Sequence, residues 1–201
     1  MRTLKRATLA VIGVCGFGLL VAGSTRVQAH CDGLDGPVVL AAQGALASGN
    51  VNLALIWVQP PDEPEVRLSF QETLAVRQAG PRARRFADRA FFETLVRLHR
   101  AGEGAPYEGL KPAGRDLGPA IPAADRAVAR DDFAELETLL SRAWRDGLNA
   151  RFEHLRAARA YKPDDVSAGR AYVAAYVEFV HYVERLHAAA THDAHGHYEQ
   201  R

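Results

Sequence analysis

Apolar residues along this chain recur at intervals of three and four, and alternating strand-like runs are scarce, so the pattern predicts helices throughout. Glycines, prolines and capping residues divide that pattern into segments. Asp35 and Pro37 start a first helix that stops near Ser48 and Gly49, and Asn50 caps a short one over 51–58. Pro60 and Pro61 interrupt before a helix over 62–78. Beyond Gly80 and Pro81, helices are expected over 82–100, 119–130, 131–160 and 165–191, with Tyr161, Lys162 and Pro163 marking the last break. Four long helices imply an all-α fold, a four-helix bundle with additional short helices. Residues 102–122 are too rich in Gly and Pro for regular helix and read as a long crossover loop. A packed structural crossover is favoured over an active-site lid, and Tyr107, Lys111 and Arg115 are its chemical handles.

The N-terminal segment departs from this amphipathic pattern. Arg2, Lys5 and Arg6 precede a mostly apolar run over 7–22, and Val27, Gln28 and Ala29 form a small-residue cleavage site. The expected organisation is a signal peptide over 1–29, a helical domain over 30–191 and a flexible His-containing tail over 192–201. The protein is therefore expected outside the cytoplasm, periplasmic or extracellular. Removing the leader takes away four basic residues and no acids, which turns the formal charge of +1 into −3. A mildly acidic chain without a basic stripe argues against a nucleic-acid partner. No later segment has the apolar length to span a bilayer, so no membrane association is expected after processing.

Processing also changes the chemistry at the new terminus. Cys15 leaves with the leader, so Cys31 becomes the one thiol and an intramolecular disulfide is ruled out. Met1, the single methionine, leaves too, and there is no C-x-x-C-H for covalent haem. Cutting after Ala29 frees an α-amine on His30. Amine, imidazole and thiolate then lie within two residues, three donors suited to a transition metal ion.

The helices offer further ligands. At 100° per residue, Phe91, Phe92, Leu95 and Leu98 define the apolar arc of the 82–100 helix, and His99 and Asp88 fall inside it. Glu93 lies opposite, among Arg89, Arg97 and Arg100, as a solvated ion-pair partner. A buried His99 is either a ligand or a hydrogen-bonded core residue. The last helix carries Glu178, His181, Glu184 and His187, two overlapping Glu-x-x-His spacings that place each pair on adjoining parts of one face. Val173, Val177 and Val180 put Glu184 and His187 within the apolar arc and His181 at its margin, so these three are the favoured set. No other helix has a matching Glu-x-x-His, which argues against a di-iron site. His154 reads as incidental, and His192, His195 and His197 are compositional evidence only.

The segment His30-Cys31-Asp32-Gly33-Leu34-Asp35-Gly36 resembles the metal hook of nickel superoxide dismutases, whose mature chain begins His-Cys-Asp-Leu-Pro-Cys-Gly on a four-helix bundle. The resemblance implies amine and imidazole ligation by His30 and amide and thiolate ligation by Cys31. The second cysteine of that hook falls on Asp35, a harder donor that suits redox-active nickel less well. A terminal-histidine copper brace and a terminus without metal both stay open. Residues 50–59 and 102–125 are also similar to segments of an uncharacterised bacterial exported family with no assigned activity. The combined expectation is an exported metalloprotein holding copper or nickel between the terminus, with His30, Cys31 and Asp35, and helix ligands drawn from His99, His181, Glu184 and His187. Superoxide dismutase-like redox chemistry, a non-enzymatic metal carrier or sensor, and a structural protein without metal are its three functional forms.

Overall fold

The computed structural model describes residues 30–192; the expected leader over 1–29 and the histidines His195 and His197 lie outside them. The described residues are all-α, with seven helices and no strand. Helix α1, Pro37–Ser48, starts with Pro37 in its first turn, where the missing N–H costs nothing, and ends at Gly49 with φ 73°. The short α2, Asn52–Leu55, follows once the Asn50 side chain has accepted the amide of Asn52 at 3.1 Å. Helices α3, Glu63–Val76, and α4, Pro81–Gly102, form a hairpin turned at Gly80, whose φ of 111° favours glycine.

These four helices own the buried core. Helix α1 contributes Val38, Val39, Ala42, Ala45 and Leu46, and the small alanines and β-branched valines let α4 approach closely. From the hairpin come Val66 and Phe70, then Phe91, Leu95, Val96 and Leu98, with the rings of Phe70 and Phe91 5.6 Å apart. Arg77 closes the assembly, donating to the Leu46 carbonyl at 2.8 Å and pairing with Asp88 at 2.9 Å. That pairing accounts for the carboxylate expected inside the apolar arc of α4.

The crossover is packed, as favoured from its composition: Tyr107 and Leu110 lie against the core. It leads into α5, Ala120–Arg130, and then into a second hairpin, α6, Ala134–Ala158, and α7, Val166–Thr191, whose Asp165 cap accepts the amide of Ala168 at 2.9 Å. This hairpin is joined by Phe152 on Phe179, ring centroids 5.5 Å apart, and by Arg151 lying 4.0 Å over the Tyr182 ring. Helix α6 has no buried residue, and α7 has one, Ala175. The four longest helices thus fit the count of a four-helix bundle and are arranged as two hairpins, one over the core and one extending through α5.

The facing expected for α7 differs. Val173, Val177 and Val180 were to mark a covered arc, yet all three are exposed, and so are His181, Glu184 and His187. Periodicity reports that a helix has an apolar stripe; it does not report which element covers it. No described helix is long and apolar enough to cross a membrane.

Candidate metal centre

Helix α4 continues two residues past Arg100, and the Glu103 amide caps it by donating to the His99 carbonyl at 3.1 Å. His99 and Glu103 therefore stand four apart on one face, at the helix end whose exposed carbonyls favour a cation. His99 is only 2% exposed, and its Nδ1 lies 2.9 Å from the Trp57 carbonyl oxygen. A carbonyl can only accept, so Nδ1 carries a proton and in the neutral ring Nε2 presents its lone pair. That Nε2 lies 3.3 Å from the Glu103 Oε1.

Cys31 forms the third corner. It belongs to a 3-10 turn over His30–Asp32 that packs half-buried against the core. One donor atom from each of Cys31, His99 and Glu103 lies within 4.8 Å of the others, the one such group of three or more among the described residues.

The crossover fixes this turn. The Lys111 amide donates to the Asp32 carbonyl at 2.8 Å and the Leu34 amide to the Lys111 carbonyl at 3.0 Å, an isolated parallel bridge between Gly33 and Lys111. Gly36 is required by space: a Cβ there would run into the His30 carbonyl oxygen and lie 3.1 Å from that of Gly33. Asp35 accepts the Gly114 amide at 2.7 Å, and that bond, foremost, holds its carboxyl below the usual range. His30 reaches the other way, its Nε2 2.9 Å from Asp125 on α5.

Arg100 balances the acids around the centre, pairing with Glu103 at 2.8 Å and with the buried Asp32 at 3.6 Å. Burial raises the pKa of Asp32 against the pull of Arg100, Lys111 and Arg115. The Cys31 thiol is pushed up to about 11, first by burial, then by the charges of Glu103 and Asp32, with Arg100 opposing. Such a thiol stays protonated at neutral pH and is a poor nucleophile.

Of the residues expected to bind metal, the structure brings Cys31 and His99 together and joins to them Glu103, which lies within the stretch expected to be loop. The spacing His99-x-x-x-Glu103 was the available signal, hidden by ending the helix at Arg100. The others lie elsewhere. His30 is paired with Asp125, and Asp35 clasps the crossover from an exposed position. His181 and Glu184 pair with each other at 2.9 Å on the surface of α7, and His187 borders the groove between α6 and α7. The nickel-hook resemblance finds no support, since the residue standing for its second cysteine turns to Gly114.

Comparison with known proteins gives a family and no function. A family model described as a family of unknown function, DUF6448, matches residues 35–182, so the chain belongs to that family. No curated protein and no solved structure matches.

Proposed function

We propose that this protein binds one transition metal ion through Cys31 Sγ, His99 Nε2 and a Glu103 oxygen, in an exported compartment, as a carrier or sensor of the ion. The observation that carries this reading is the orientation of His99. Its Nδ1–H is spent on the Trp57 carbonyl, the outer-shell contact that metal-bound histidines make, while Nε2 lies 3.3 Å from the Glu103 carboxylate and Cys31 brings a third donor into the same group. The same atoms do not favour a Cys-His nucleophile. Glu103 stands at the nitrogen that would take the thiol proton, and burial raises the thiol pKa where catalysis needs it lowered.

A divalent ion entering the centre displaces the Cys31 proton to solvent and leaves a thiolate bound beside an imidazole and a carboxylate. Mixed sulfur, nitrogen and oxygen donors suit zinc, nickel and copper(II), with copper bound most tightly in the general order of affinities. Three protein ligands leave a position open for exchange, as handing an ion to a partner requires. Copper or nickel is the finer reading. His30 engages Asp125 through Nε2 and not through Nδ1, the ring nitrogen that closes a chelate with the residue's own α-amine once the leader is cut.

Titrating protein that begins at His30 with cobalt, zinc, nickel and copper tests both readings. One ion per chain is expected, with a thiolate charge-transfer band for cobalt, and Cys31→Ser or His99→Ala should weaken binding by about 10- to 100-fold. Absence of stoichiometric binding, or binding indifferent to Cys31→Ser, overturns the site. Retaining one extra residue before His30 should weaken copper and nickel while leaving zinc unchanged; equal binding of all three overturns the finer reading alone.

A further inference from the structure

The α6–α7 hairpin carries an apolar surface that none of the described residues covers. On α7, Ala175, Phe179, Tyr182 and Leu186 form the stripe turned toward α6, and a second stripe runs beside it, Val173, Tyr176, Val180 and Val183, again spaced by three and four. These four are between 39% and 55% exposed. On α6, Leu140 and Trp144 are open at 49% and 42%, and with Val183 and Leu186 they line a groove of about 640 Å³ between the start of α6 and the end of α7. Leu140, Trp144 and that second stripe, with Phe152, Val166 and Val177, leave on the order of 700 Å² of apolar surface open, well beyond the few hundred Å² that monomers commonly show.

We infer that this surface is the interface of a homodimer, two hairpins closing into one four-helix bundle. Three observations favour a second copy. The open area is close to the roughly 800 Å² per partner buried by stable protein interfaces of standard size. The stripe follows the three-and-four spacing of helices that pack side by side along their length, and α6 and α7 have 25 and 26 residues over which to do so. The charges beside it on α7 have both signs, Arg170 next to Val166 and Val173 and Glu184 one turn beyond Val180, as self-pairing about a twofold axis requires. An anionic membrane surface would call for a basic border instead.

Sedimentation equilibrium of residues 30–201 in excess chelator tests the inference apart from any metal. A dimer is expected. Val180→Glu places a charge at the centre of the stripe and Val173→Lys one near its start; each should give a monomer with unchanged helical circular dichroism, since both positions are open in the single chain. A monomeric wild-type protein overturns the inference. So does an oligomer that survives both substitutions, or a monomer that instead binds anionic phospholipid vesicles through this face.

Discussion

The two helical hairpins of this chain read alike in sequence and differ in what they bury. In α3–α4, apolar residues at three-and-four spacing meet α1 and vanish from solvent, Phe91 and Leu95 completely. In α6–α7 the same spacing yields one buried residue, Ala175, and leaves valines and aromatics half-open. The difference teaches that periodicity encodes a demand for a partner, while stability depends on whether the partner is present in the chain. It also places the chemistry. The candidate centre is built on the hairpin whose backbone is held from several sides, where a ligand triangle can be kept in position.

Truncating one aromatic in each hairpin tests that contrast with the largest expected effect. Phe91→Ala removes a fully buried ring packed on Phe70 and should cost about 3–5 kcal/mol in chemical unfolding. Phe152→Ala removes a ring 47% exposed and should cost the isolated chain about 1 kcal/mol. Equal losses would break the comparison. A Phe152→Ala cost that grows with protein concentration would sharpen it, because the missing partner would then be a second copy.

A smaller loss, about 1–3 kcal/mol, is expected from Gly36→Ala, which must push the added methyl group away from the His30 and Gly33 carbonyls. Its consequence falls mainly on the centre. The turn that presents Cys31 shifts while α4 keeps His99 and Glu103, so metal affinity should drop more than stability does. Calorimetric titration beside a urea melt separates the two. Unchanged affinity would mean that the turn does not set the position of the thiol.

Much of this architecture was legible in the sequence. Pro37, Gly49, Gly80 and Pro81 marked helix ends because proline and left-handed glycine act through local backbone geometry, which needs no knowledge of neighbours. His99 was placed correctly on the inner face of α4 because Phe91, Leu95 and Leu98 fix that face and α1 covers it. The same reasoning applied to Val173, Val177 and Val180 puts His187 and Glu184 inside, where no described element covers them. Glu103 escaped for a different reason: helix ends depend on capping and tertiary packing, and an error of two residues moved a ligand into a loop. Asp35 carried the right chemistry for a donor, and only the path of the crossover shows that Gly114 takes its carboxylate.

The smallest effect concerns pH, and it separates the two hairpins by their response to alkali. Burial beside Glu103 and Asp32 raises the Cys31 pKa from 9.0 to about 11, so the fold prefers the neutral thiol. The stability this confers is complete below the unfolded pKa near 9 and is lost as pH climbs from there through 11, at most about 2 kcal/mol because the thiol is only partly buried. Metal-free protein should therefore weaken between about pH 9 and about pH 11, with hydrogen-exchange protection falling in α1–α4 and holding in α6–α7, and Cys31→Ser should flatten the profile. A bound ion inverts the sign. Its thiolate has already given up the proton, so each pH unit below the thiol pKa should raise metal affinity about tenfold as proton competition fades. Stability of the metal-loaded protein then rises with pH over the range where the metal-free protein is flat. Parallel profiles with and without metal would mean that the ion is not held by Cys31, whatever else holds it.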